Sequence, residues 1–224
     1  MRRDAHRQFK SRLYAQFARI GKALASPHRL ELLDLLGQGE RSVEELATEL
    51  EQSLANTSAH LQVLRQARLV ESEKRGLNHV YRLATPEVFD VWRAVRDLGA
   101  ARLAEVDRLV ETFLTDRASL SAVTLSELQN LIADGTITLV DVRPALEYRQ
   151  GHIPDARSIP VEELEHRLAE LPHDREVVAY CRGRYCVFSD EAAQLLQHEG
   201  FRVRRFEEGF PEWRAAGLPV ASNG

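Results

Sequence analysis

The chain has little cysteine, two residues in 224. That excludes a disulfide framework of the kind small secreted domains rely on. It has no run of about 18 apolar residues, the length a membrane-spanning helix needs, so no span is expected. Its basic start, Met1-Arg2-Arg3-Asp4-Ala5-His6-Arg7, is followed by no apolar stretch such as an export signal carries. No internal repeat and no low-complexity segment interrupts the sequence. These absences predict a cytoplasmic protein with no membrane contact, in a compartment where a thiol serves chemistry more often than structure.

What is present is enough apolar material for real cores: 44% of the residues are hydrophobic, so disorder is not the default. The length suits one large domain or two small ones. The formal net charge of −4 is unevenly spread. Residues 1–120 hold 19 Lys/Arg against 17 Asp/Glu, and the remainder holds 11 against 17. A basic half followed by an acidic half points to two different tasks.

Up to Arg117 the apolar spacing is helical. Phe9, Leu13, Phe17 and Ile20 form one stripe. Leu30, Leu32, Leu33, Leu35 and Leu36 form a short apolar helix between Pro27 and Gly37. Ser42 with Glu45 makes a capping box for a helix over Val43–Leu50, and Ser53 caps another over Leu54–Ala67. Leu69 to Leu83 reads as two strands joined by a tip at Gly76–Asn78. A long helix is expected from Val88 to about Leu114. Short helices followed by a two-stranded tip describe a mainly α winged helix-turn-helix. Its helix Leu54–Ala67 would enter the major groove of double-stranded DNA, offering Asn56, Thr57, Ser58, His60 and Gln62 to base edges and phosphates. The tip offers Lys74, Arg75, Asn78, His79 and Arg82 to the backbone. One by one, each of these polar side chains is better explained as part of a solvated face; it is the order of elements together that favours the DNA reader.

Beyond a weakly patterned linker, residues 116–123, the elements alternate. Helices are expected at Ser126–Ala133, Glu162–Glu170, Ser189–Glu199 and Pro211–Ala216, with strands at Thr138–Val142, Val177–Tyr180 and Val203–Phe206. Such alternation predicts an α/β domain over 124–224 with a parallel sheet covered on both faces, behind a first domain over 1–115. Both cysteines sit in one loop of it, Cys181-Arg182-Gly183-Arg184-Tyr185-Cys186, between a strand end and a helix start. Free N–H groups and the positive end of a helix dipole there favour a thiolate, and two arginines act the same way. The plainer alternative is a pair of buried structural thiols.

Residues of roughly 10–100 resemble the ArsR family of bacterial repressors. The matching stretches are Leu24 to Leu33, Ser42 to Ala47, Ser58 to Val70, and the wing end Val80-Tyr81-Arg82-Leu83. The resemblance implies a homodimer on a palindromic operator, with the first and last long helices of the domain at the dimer surface. Many members sense metals through cysteines near the third helix or histidines on the last. Here Arg41-Ser42-Val43-Glu44-Glu45 has no cysteine and Val88–Leu114 no histidine, so no metal site is expected.

Residues 124–220 resemble the rhodanese domain, on the strength of Leu139 to Pro144, Glu147 to Pro160, the cysteine loop, and Phe206 to Val220. That resemblance implies sulfane-sulfur transfer. Cys181 would hold a persulfide taken from a small-molecule donor or a thiol, with no cofactor, and Arg182 and Arg184 would neutralise donor charge. Gly183 and Tyr185 complete the loop. Asp141 and Arg143, at a strand's carboxyl end, are either site residues or, the preferred reading, a structural ion pair. Gly151-His152-Ile153 reads as scaffold. Phosphatases and arsenate reductases of this fold place an arginine six residues after the cysteine to grip an oxyanion. Position 187 is Val187, which disfavours that chemistry. The loop departs from the usual Cys-Arg-x-Gly-x-Arg: Gly183 comes one residue early, and Cys186 stands where the arginine is expected. Cys186 either resolves a persulfide on Cys181 or packs as a small apolar residue.

The combined expectation is a regulator, of repressor type, that responds to reactive sulfur or redox state through Cys181. Two alternatives remain open at this point: a sulfurtransferase dimerised by its first domain, and an inert rhodanese module that binds a partner protein.

Overall fold

The computed structural model describes residues 2–114, 117 and 120–222, in two compact units, Met1–Val95 and Arg96–Gly224. The division falls inside a helix; of the expected linker 116–123, residues 116, 118 and 119 lie outside the described residues. Within the second unit, Arg96 Nη1 donates to Glu212 Oε1 at 2.6 Å.

The first unit runs α1 (Arg2–Leu24), α2 (Pro27–Gln38), β1 (Arg41–Ser42), α3 (Val43–Glu49), α4 (Leu54–Gln66), β2 (Val70–Arg75), β3 (Asn78–Leu83) and the start of α5 (Pro86–Arg102). Pro27 opens α2, its fixed φ suiting the first helical turn. The capping box of α3 is reciprocal: Ser42 Oγ accepts the Glu45 N–H at 3.2 Å, and Glu45 Oε2 accepts the Ser42 N–H at 2.7 Å. Ser53 Oγ caps α4 by accepting the Asn56 N–H at 3.2 Å. Leu32, Leu33, Leu46, Leu61 and Leu64 are fully buried where α2, α3 and α4 meet. Each such side chain contributes roughly 1.5–3 kcal/mol relative to exposure. β1, β3 and β2 form an antiparallel sheet in that order, with Lys74 opposite His79 and Arg75 opposite Asn78 at the tip.

The second unit holds the rest of α5, then α6 (Ala104–Phe113), β4 (Ala122–Val123), α7 (Leu125–Ala133), β5 (Ile137–Asp141), α8 (Ala145–Gln150) and β6 (Arg157–Ser158). It continues with α9 (Val161–Leu164), a 3-10 helix (Glu165–Glu170), β7 (Glu176–Cys181), α10 (Val187–His198), β8 (Val203–Gly209) and α11 (Phe210–Ala215). The sheet order is β4-β8-β7-β5-β6, every pairing parallel, with β7 in the middle. Along β7 the side chains alternate as the pleat requires. Val177, Ala179 and Cys181 join one apolar cluster with Ala192 and Leu196, while Val178 and Tyr180 join the other with Phe206 and Trp213. Both faces are therefore covered, as the expected parallel sheet requires.

Two expected helices differ. Val88–Leu114 is two helices, α5 and α6, broken where Leu103 turns extended with no side-chain cap. Glu162–Glu170 is a short α-helix that tightens into the 3-10 helix.

Candidate functional site

On the first unit, α4 presents Ser58 and Gln62 to solvent, with Asn56 and His60 half-buried. Asn56 Nδ2 donates to Gln52 Oε1 at 2.7 Å, which holds the amide at the start of the helix. Thr57 is a correction. It is fully buried, and its hydroxyl has no hydrogen-bond partner, so it faces the core and not a groove. Thr57, Leu61 and Leu64 lie on the i, i+4, i+7 stripe that α4 buries, a signal already present in the spacing. The His60 ring lies 5.4 Å from that of His28. Partial burial, then Arg29 and His28, push its pKa below the ordinary value of 6.5.

On the wing, Lys74, Asn78 and His79 are exposed. Arg75 pairs with Glu40 and, at 3.0 Å, with Glu73, and Arg82 pairs with Glu71 at 2.8 Å. These exposed pairs hold the guanidiniums in place at little energy, so a phosphate can displace the carboxylates.

In the second unit Cys181 ends the central strand β7, and Cys186 is the N-cap residue of α10. The two are joined as a disulfide, with Cα atoms 6.4 Å apart, inside the range that a bridge allows. Cys181 has no exposed surface, whereas Cys186 is half-buried. The loop is folded back by a turn in which the Cys186 N–H donates to the Gly183 carbonyl at 3.0 Å. Gly183 has φ +156°, a region glycine tolerates best. Gly209 of β8 passes so close that a Cβ there would fall on the backbone of Arg182 and Gly183. A shift in β-register between Ala179 and Cys181 accompanies this approach.

The loop arginines have partners. Arg182 Nε and Nη2 donate to Glu147 Oε1 at 2.8 and 2.7 Å, and its guanidinium lies 5.6 Å from the Phe188 ring. Arg184 is the more exposed of the two, 3.8 Å from Glu207, while its carbonyl accepts from Arg117. Tyr185 stands exposed at the rim. Asp141 and Arg143 are wholly buried and face each other, Nη2 to Oδ2 at 2.6 Å, and Arg143 also donates to the Gly151 carbonyl at 2.8 Å. Burial works against the Arg143 charge, but Asp141 more than offsets it and its pKa is raised. The pair thus braces the loop at Gly151, and Glu147 links it to Arg182.

The sequence reading did not single out Glu147, nor Asp190. Asp190 is buried in the first turn of α10, 3.6 Å from Arg117 and 3.3 Å from Arg205. Burial raises its carboxyl pKa despite both arginines. A buried carboxylate leaves no periodic trace in a sequence. Among the described residues no cluster of His, Cys, Asp and Glu could hold a metal ion, and no helix is long and apolar enough to cross a membrane.

Comparison with known proteins fits this division of labour. Residues 26–72 match the family model for bacterial regulatory proteins of the arsR family, and residues 124–216 match the rhodanese-like domain. The HTH-type transcriptional regulator Rv0324 of Mycobacterium tuberculosis is 45% identical over 211 residues, covering 94% of this chain and 92% of that protein. A sulfurtransferase of Allochromatium vinosum is 37% identical over 95 residues, 42% of this chain and 87% of its own. Among solved structures, the homodimeric winged helix-turn-helix DNA-binding domain of Mb0332 from Mycobacterium bovis is 42% identical. It covers 42% of this chain and 87% of that one, with a TM-score of 0.40. With a relative matched along nearly its whole length, the chain belongs to the arsR family of bacterial regulatory proteins, in a form that carries a rhodanese-like domain behind its winged helix-turn-helix.

Proposed function

We propose that this protein is a homodimeric, DNA-binding transcriptional regulator whose rhodanese-like domain takes up sulfane sulfur on Cys181 and thereby changes operator affinity. The observation that carries the reading is where the thiols are. Both cysteines of the chain lie on one loop, at the carboxyl end of the central strand and the N-terminus of α10. Backbone N–H groups and the helix dipole at that point stabilise an anionic sulfur. The first unit supplies the reader: an exposed α4 face and a wing with exchangeable arginines. The name of the Mycobacterium tuberculosis relative, a transcriptional regulator, supports the same assignment. Exposed Phe9, Tyr14 and Phe17 on α1 of the first unit, and separately Leu109 and Phe113 on α6 of the second, supply apolar surface for a second copy.

The test is a mobility shift with operator DNA, with and without polysulfide, on wild type and Cys181→Ser. Allosteric couplings are typically about 1–3 kcal/mol, a change in affinity of roughly 5–150-fold. The expected result is a change of that order in the wild type alone, with weaker binding after sulfur uptake if the protein is a repressor. Equal affinity in all four conditions overturns the reading. A sulfurtransferase as the main activity is supported by the Allochromatium vinosum relative, and it predicts sustained thiocyanate formation from thiosulfate and cyanide. The complete burial of Cys181 favours a single loading event over rapid turnover.

A further inference from the structure

We propose that Cys186 resolves the persulfide formed on Cys181, so that the loop discharges its sulfane sulfur as hydrogen sulfide and is left as the Cys181–Cys186 disulfide. The inference rests on Cys181 being the sulfur acceptor and assigns the step that follows. Three features of the loop carry it. The two cysteines are already within bonding reach, their Cα atoms 6.4 Å apart, in a turn closed by the Cys186 N–H and the Gly183 carbonyl. Cys181 belongs to a buried apolar cluster, and Cys186 packs on the same cluster, so Cys186 is the thiol nearest to a persulfide on Cys181 and reaches it before one arriving from solvent. Cys186 also caps a 12-residue helix without using its side chain as a cap, so its sulfur is engaged with Cys181 and not with the helix N–H groups.

The chemistry balances without a further oxidant. A polysulfide donor transfers one sulfane sulfur to Cys181, giving Cys181–S–SH and a donor shorter by one sulfur. The Cys186 thiolate then attacks the inner sulfur. The Sγ–Sγ bond forms, the bond from Cys181 Sγ to the outer sulfur breaks, and the outer sulfur leaves with the electron pair as hydrosulfide, which becomes hydrogen sulfide on taking up the proton that Cys186 gave. The two thiols are oxidised to the disulfide, and the sulfane sulfur is reduced to sulfide. Resetting requires two equivalents of an external thiol or one dithiol. Cys186, half-buried where Cys181 is wholly buried, is the point of attack, and Cys181 is the leaving thiolate. The persulfide is then a transient, and the disulfide is the lasting form of the signal.

The experiment uses the full chain, reduced and kept free of oxygen, mixed with one equivalent of polysulfide and followed by intact mass and a sulfide assay. Wild type should release one sulfide per chain, lose two hydrogens, and show neither thiol open to alkylation. Cys186→Ser and Cys186→Ala should each gain one sulfur on Cys181 and lose nearly all sulfide release until an external thiol is added. Cys181→Ser should neither gain sulfur nor release sulfide. If wild type holds the extra sulfur on Cys181 while Cys186 still alkylates, or if the Cys186 variants release as much sulfide as wild type, the resolving role is overturned and Cys181 as acceptor stands. If wild type neither gains sulfur nor releases sulfide nor loses two hydrogens, and the Cys186 variants gain no sulfur, both fall.

Discussion

A guanidinium with no exposed surface is tolerable only when opposite charge and acceptors surround it, and Arg143 has both in Asp141 and the Gly151 carbonyl. Removing one partner of such a pair leaves an unpaired buried charge, at about 3–5 kcal/mol. Arg143→Ala should therefore lower unfolding stability by that order in denaturant melts, while sulfur uptake by its folded fraction persists. Loss of uptake with stability intact would instead make Arg143 a site residue. Gly209 is constrained from the opposite direction, by lack of room. Gly209→Ala should cost about 1–3 kcal/mol, as overpacking does, and should slow sulfur uptake at Cys181 because the backbone it displaces is the cysteine loop itself. His60 sets a pH dependence. Its folded pKa lies below 6.5, held there by partial burial and by Arg29 and His28. Its contribution to stability is full above 6.5 and falls as pH drops through the lowered value, because in that window only the unfolded chain binds the proton. An NMR titration of the His60 ring should give a midpoint below 6.5 that moves back toward it in His28→Ala.

At the scale of elements, local chemistry decides where helices begin. The Ser42–Glu45 box and the Ser53 cap are both formed as the spacing indicates. Ser42→Ala should lower stability by about 0.5–2 kcal/mol in thermal or urea melts, with the wing affected too, since Ser42 also pairs with Val80 in β1. Elements with long periodic patterns were legible for the same reason: α2, α4, β5, β7 and α10 each carry a repeated apolar spacing or a cap. Among those that went unread, β1, β4 and β6 are two residues long, too short for alternation to show, and exist because a neighbouring strand completes them, and α8 is a six-residue helix, under two turns, too short for a helical period to show. The break at Leu103 has no proline at the position to announce it. The candidate site was legible at Cys181 and Cys186, where residue type and setting between strand and helix coincide. It was illegible at Glu147 and Asp190, whose importance comes only from the arginines that folding brings to them.

At the scale of the whole molecule, the distribution of apolar surface asks for a second copy. α1 is a 23-residue helix, about 35 Å long at 1.5 Å per residue, and it leaves Phe9, Tyr14 and Phe17 each more than half exposed. α6 has no buried residue at all, yet carries Leu109 and Phe113 on its surface. Scattered exposed side chains need no explanation, but three exposed aromatics along one helix do, and the proposed second copy would cover them. On the proposed function, DNA binding depends on that surface, because a palindromic operator would be read by two copies of α4 whose spacing the dimer fixes. Phe17→Asp and Leu109→Asp should each keep helical circular dichroism while shifting sedimentation from dimer to monomer. Operator affinity should fall steeply, and protein concentration should become the controlling variable. Wing substitutions should behave differently: Arg75→Ala or Arg82→Ala should leave the dimer intact and reduce the salt dependence of binding by about one phosphate contact per copy. A monomeric variant that still binds a full operator as tightly as wild type would mean that one copy of α4 and its wing suffices, and that the exposed stripes of α1 and α6 have some other occupant.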